Sequence, residues 1–236
     1  MKKQILNLLL LIIPFVAINA QKTLKEGYIK MELTDAKSDD PNMAMGIEMM
    51  KGTTTEIYFV DGKYMTEMSM MGGMVNMKNV VNTESKNMDM FMDAMGSKMW
   101  IETNMDEAKE MNKQNATDMS QLKVEYDKSQ TKKILGYTAH KATINMPNNA
   151  GKIEGWVTNE IITDANVIQG MEDLKLEGFP LEFTMNTPQM TLTFSTTDIK
   201  ESVDKSKFDI KTDGYKKMTM EEFQKSMGGM GGGLGF

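Results

Sequence analysis

Between Thr54 and Thr103 the chain keeps turning back on itself. Thr54 to Val60 is rich in β-branched and aromatic residues, Asp61-Gly62 follows, and Lys63 to Met71 is a second run of the same kind. Asp-Gly between two such runs is a strong hairpin signal, because the pair accepts the backbone that a two-residue turn requires. Gly72-Gly73 repeats the device before Met74 to Val81, and Met95-Gly96-Ser97 does so before Lys98 to Thr103. Met88, Met90 and Met92 alternate with Asp89, Phe91 and Asp93, which is the period of a strand. Strands joined by tight turns pair antiparallel, whereas parallel neighbours need a long crossover. The regular strand–helix alternation of a doubly wound fold is absent.

The flanking sequence continues the pattern. Thr23 to Leu33 reads as a first strand, and Leu122 to Tyr126, Ile134 to Met146, Ile153 to Ile162, Leu181 to Met185 and Met190 to Ile199 read as later ones. Asp35 to Asn42 reads as a polar loop closed by Pro41. Asn104 to Gln114 is the central helix candidate, with Asn104 as cap and Glu107 as its capping-box partner. Thr219 to Met227 reads as a short terminal helix, since Thr is followed by Glu at the third helical position. The expected fold is α+β and mostly antiparallel, a curved sheet with one central and one C-terminal helix.

Met1 to Ala20 carries Lys2 and Lys3, then an apolar core of about a dozen residues, shorter than the roughly 20 that a spanning helix needs. Ala17-Ile18-Asn19-Ala20 supplies a small-x-small cleavage site. This is the signal-peptide pattern. The expected organisation is a signal peptide over residues 1–20, a single domain over 21–227, and a disordered Gly-rich tail over 228–236. The expected location is the periplasm or the extracellular space. Without Lys2 and Lys3, 25 Lys stand against 33 acids, a net charge of −8. That balance argues against nucleic acid, which wants a basic face. No later stretch is long and apolar enough to span a membrane once the signal is removed.

Composition narrows the chemistry. The chain has no Cys and one His, and all 27 of its basic residues are Lys. Disulfides, thiolate nucleophiles and Cys-based metal sites are therefore excluded, as is a His-rich zinc site. The acidic pairs Asp39-Asp40, Glu172-Asp173 and Glu221-Glu222 are adjacent. Adjacent residues on a strand point to opposite faces, so such pairs serve poorly as acid and base. No G-x-S-x-G surrounds a Ser, and His140 is the only imidazole that a Ser-His-Asp site has. The reading is of a protein that is not an enzyme.

Methionine is the unusual residue. The chain has 28, and fifteen fall between Met43 and Met99. Thioether sulfur is soft and selects Cu(I) over hard cations. Met68, Met70, Met71 and Met74 form the densest group and are the candidate Cu(I) ligands of that alternative reading. The plainer readings are a flexible, adaptable apolar surface or Met standing in for Leu in a core.

Four later stretches carry a resemblance. They are KILGYTAHKATI (Lys133 to Ile144), GKIEGWVTNEI (Gly151 to Ile161), LEGFPLEF (Leu176 to Phe183) and FDIKTDGYKKMTMEEF (Phe208 to Phe223). Over Lys123 to Phe223 the chain resembles a family of exported Bacteroidota proteins of unknown function, which is similar to the periplasmic lipoprotein carriers (LolA/LolB-like). The resemblance implies a half-barrel whose concave face, plugged by helices, holds acyl chains, with no catalytic residues. The function expected on these grounds is an exported binding protein. It would hold an apolar ligand (a lipid or lipidated segment) or an envelope partner protein in a Met-rich concave face, without a cofactor. The candidate cavity residues are Tyr58, Met68, Met70, Met90, Trp100, Tyr137, Trp156, Phe183 and Phe194.

Overall fold

A computed structural model describes residues 22–108, 122–162, 174 and 176–229. The expected signal peptide lies outside the described residues. The strands are β1 (Lys22–Thr23), β2 (Gly27–Ser38), β3 (Thr54–Val60), β4 (Lys63–Met70), β5 (Val75–Asn82), β6 (Asn87–Ala94), β7 (Ser97–Asn104), β8 (Val124–Ile134), β9 (Tyr137–Asn145), β10 (Lys152–Thr158), β11 (Ile161–Ile162), β12 (Phe179–Asn186), β13 (Met190–Lys200) and β14 (Lys216–Met218). The α-helices are α1 (Pro41–Met50) and α2 (Met220–Gly229), and residues 105–108 are also helical.

Twelve strands form one curved, open sheet in the order β14-β7-β6-β5-β4-β3-β2-β13-β12-β10-β9-β8. Every pairing within it is antiparallel except that of β14 with β7. The α+β, mostly antiparallel expectation is met. Two of the tight turns show why. Met95-Gly96 and Leu135-Gly136 have both central residues at positive φ, 52° and 86° in one and 51° and 88° in the other. That backbone matches the right-handed twist of the flanking strands. Each turn joins a directly opposed pair, Ala94 with Ser97 and Ile134 with Tyr137. The long run expected from Ile134 to Met146 is thus broken at Leu135-Gly136.

The sheet has two halves that meet at β2 and β13. The pairing there runs from Met190 with Ser38 to Lys200 with Tyr28 and is interrupted by two bulges, at Thr193/Phe194 and Thr196/Asp198. Bulges bend and twist the strands that carry them, so the seam is where the sheet turns. α1 packs on this seam, with Ile47 buried among Leu33, Ala36 and Leu192.

α1 corrects the loop expected from Asp35 to Asn42. Asp35, Ala36 and Lys37 stay in β2 because β13 offers them partners. Asp40 then caps a helix, its Oδ1 accepting the Asn42 N–H at 2.9 Å. Pro41 takes the first helical position, where no amide needs a partner. At the central helix, Asn104 Oδ1 accepts the Glu107 N–H at 2.8 Å as expected. The Glu107 carboxylate accepts from the Thr103 hydroxyl at 2.8 Å rather than closing the capping box. Residues 109–121, which hold the rest of that candidate, lie outside the described residues. The terminal helix has its full box: Glu222 accepts the Thr219 N–H at 2.8 Å and donates its own N–H to Thr219 Oγ1 at 3.2 Å. It takes in Gly228 and Gly229, two residues of the expected tail.

Register defines two faces. Ile57 is opposite Ile29, Leu33 opposite Phe194, Phe194 opposite Phe183, Phe183 opposite Gly155, and Gly155 opposite Ala142. These residues share one side of the sheet, the front face. The largest buried cluster lies on it and spans the seam, with Ile29, Ile57 and Leu181 fully buried. Burying one such side chain stabilises by about 1.5–3 kcal/mol. On the back face Tyr28, Tyr58, Met65 and Val80 form a row across β2 to β5. After β13 the chain crosses this row as a strap, residues 201–215. Phe208 packs on Tyr58, Met65 and Val80, with Val203 and Ile210 beside it. The strap then delivers β14 to the far edge at β7.

Candidate functional site

The front face of the C-terminal half carries an apolar cleft. It is lined by Ala142, Ile144, Ile153, Gly155, Val157, Leu174, Leu176, Pro180 and Phe183. The floor comes from β9, β10 and β12, and Gly155 and Ala142 keep it low because they have little or no side chain. Leu174 and Leu176 come over it from the segment that leads into β12. That segment is tied down by the Glu177 N–H, which donates to the Tyr126 hydroxyl at 2.7 Å. Burial pushes the Tyr126 hydroxyl pKa up, so it stays neutral and keeps this role. The enclosed space is about 20 Å³, room for about one water, and reaches about 300 Å³ only when the open mouth and its solvent are counted. Among the described residues none that lines it is titratable or polar. What it can do chemically is exclude water from an apolar group.

The same face of the N-terminal half sets a row of methionines beside buried Ile57, Val81 and Ile101. In β4, β5, β6 and β7 the directly opposed partners are Met68 with Met77, Met77 with Met92, and Met92 with Met99. Four methionines thus form one row across four strands. Met92 and Met99 are buried, at 6% and 9% exposure, and Met68 and Met77 are half-buried. Met70 and Met90 flank the row on the same face. Asn79, also there, is 7% exposed, and its Oδ1 has no hydrogen-bond partner among the described residues.

Of the nine expected cavity residues, the fold brings Met68, Met70, Met90, Phe183 and Phe194 to the front face. Phe183 and Phe194 stack at 4.9 Å between centroids. Tyr137 is half-buried at the end of the β8–β9 hairpin, against the main cluster. Tyr58 and Trp100 are not with them. Tyr58 is in the back-face row beneath Phe208 and donates its hydroxyl to Glu56. Trp100 stacks on Phe91 at 6.0 Å, donates to Asp89 Oδ1 at 2.8 Å, and lies 4.5 Å beneath the Lys217 ammonium. Trp156 is one residue out of phase with Gly155 and in register with Lys141 and Glu182, with the Lys132 ammonium 5.7 Å from its ring. Ion pairs surround it: Lys152 and Lys141 hold the Glu154 carboxyl below the usual carboxylate range.

The four expected Cu(I) ligands do not share a face either. Met68 and Met70 lie in β4, while Met71, at φ 53°, and Met74, half exposed, belong to the turn that follows. His140 is on β9, six strands from β4 in the sheet order. Sequence reasoning passed over Met77, Met92 and Met99 as a group with Met68. The signal was available, since turn lengths fix hairpin register. Among the described residues no three of His, Asp and Glu gather as a metal site, and no helix is long and apolar enough to cross a membrane.

No family model matches the chain, and neither does any curated protein. Solved structures match at low identity. An uncharacterized conserved protein from Thermus thermophilus aligns at 8% identity and TM-score 0.49, over 83% of this chain and 91% of that one. A LolA superfamily protein from Nitrosomonas europaea aligns at 8% identity and TM-score 0.35, over 81% and 92%. PNGF-II aligns at 14% identity and TM-score 0.44, over 85% of this chain, which spans only 32% of PNGF-II.

Proposed function

We propose that this chain is an exported, non-enzymatic binding protein that holds an apolar ligand, a lipid or lipidated segment, on the front face of its sheet. The observation that carries the reading is the cleft over Ala142 and Gly155. Its described lining is apolar throughout, and it opens on a face that continues into the methionine half. Methionine suits that place, since an unbranched thioether side chain repacks around ligands of different shape. The unpartnered Asn79 amide oxygen offers an acceptor to a ligand hydroxyl or N–H. Export is supported by the signal-peptide pattern of Met1 to Ala20.

The test is displacement of a fluorescent acyl-chain probe from the purified protein, together with native mass spectrometry of what copurifies. Micromolar probe binding, with an extractable lipid mass, is the expected result. Leu176→Glu places a charge at the mouth from a half-buried position and should weaken the probe at least about tenfold, the cost of burying an unpaired charge. Its circular dichroism should be unchanged. Probe affinity equal in the wild type and a folded Leu176→Glu protein would overturn this site.

A further inference from the structure

We infer that the Met68–Met77–Met92–Met99 row is a binding site for a soft monovalent cation, Cu(I) or Ag(I). The inference goes beyond the ligand reading: it assigns a cation to the methionine half of the same face, whereas the Leu176→Glu test of that reading lies at the cleft in the other half. Adjacent strands are about 4.8 Å apart, and directly opposed side chains on one face approach more closely than any others across a sheet. Met68, Met77, Met92 and Met99 are opposed in three successive pairs. Thioethers therefore stand side by side on four strands, held by hairpins rather than by a mobile loop. Sulfur donors of this kind select Cu(I) and its soft analogues over calcium, magnesium or zinc. Burial of Met92 and Met99 protects the sulfurs at one end of the row, while half-buried Met68 and Met77 leave a way in at the other. Met70 and Met90, two residues along their strands from Met68 and Met92, supply further sulfur on the same face. No proton needs to leave a thioether before it binds.

The experiment is anaerobic titration of the whole protein with Cu(I) against a chromophoric Cu(I) chelator, repeated with Ag(I) by calorimetry. One equivalent of either ion should bind. Met77→Leu/Met92→Leu keeps the apolar volume but removes two sulfurs from the middle of the row, and should lower affinity at least tenfold. Met45→Leu/Met95→Leu, on exposed positions of α1 and the β6–β7 turn, should leave it unchanged. Selenomethionine protein provides a readout that does not depend on any variant folding: a copper neighbour should enter the selenium-edge absorption spectrum. Absence of binding, equal loss in both double variants, or a selenium edge without copper would each overturn the site.

Discussion

The two halves of the sheet bury their side chains in different ways. In the C-terminal half the front face carries the core, built from branched and aromatic residues: Ile144, Ile153, Leu181 and Phe183. Its back face is a lattice of ion pairs such as Lys132–Glu182 and Lys141–Glu154. In the N-terminal half the back face is closed by the strap, with Phe208 over Tyr58 and Met65 and Tyr215 edge-on to Phe91 at 5.1 Å. Its front face mixes buried Ile57, Val81 and Ile101 with a row of methionines. Stiff, branched side chains specify one packing, whereas methionine accepts many. A single sheet thus offers a defined side and an adaptable side, joined at β2 and β13.

This contrast can be broken by substitution. Phe183→Ala in the C-terminal front face and Phe208→Ala in the strap should each cost about 3–5 kcal/mol, as truncated core aromatics do. Urea unfolding would measure both, and a loss below about 1 kcal/mol for Phe208→Ala would show that the strap does not hold its half. The back face of the N-terminal half should also respond to alkali. Burial, then the neighbouring Glu56 carboxylate, pushes Tyr28 up to about 12 from its ordinary 10.0, and Tyr58 is raised in the same way. Both tyrosines must ionise on unfolding before they do so in the fold. Their contribution is thus complete below pH 10 and is lost as pH rises towards 12. Thermal melting should fall across that window in the wild type and less in Tyr28→Phe. An equal fall in both would remove Tyr28 from the account.

The adaptable side should tolerate change. Met77→Leu and Met92→Leu, singly, should cost less than about 1.5 kcal/mol, the range for volume-conserving swaps. A larger loss would mean that this face is packed as specifically as its counterpart. Asp40→Ala, which removes the cap of the helix on the seam, should cost about 1 kcal/mol. The effect should appear as a shifted denaturation midpoint with unchanged probe binding.

Much of this division was legible beforehand, and particular residues show where legibility stopped. Asp61-Gly62 and the Met88–Met90–Met92 alternation gave β3–β4 and β6 directly. Thr219 with Glu222 gave α2 by capping alone. Asp40-Pro41 is an equally good helix start, but the loop reading took Pro41 as an ending, and α1 was missed. Tyr58 and Trp100 lie on the back face, apart from the other expected cavity residues, for a different reason. Large aromatics usually line a main core, and nothing local announces that Phe208 of the strap will cover Tyr58 or that Lys217 of β14 will sit over Trp100. The methionine row needed only the register of three hairpins, which the turns encode. The seam needed more, because β2 and β13 are far apart in the chain and their pairing has no local signature.

That seam also sets an order of events. Thr34 bonds to Thr193 across 159 residues, while β3 to β7 close through short turns between neighbours. Local pairings form fast and distant ones slowly, so the amino-terminal meander should be complete while β2 still waits for β13. Until then β2 presents a long open edge to any other extended chain. This is the interval in which a chaperone would be needed. A chain cut before Met190 would never leave it.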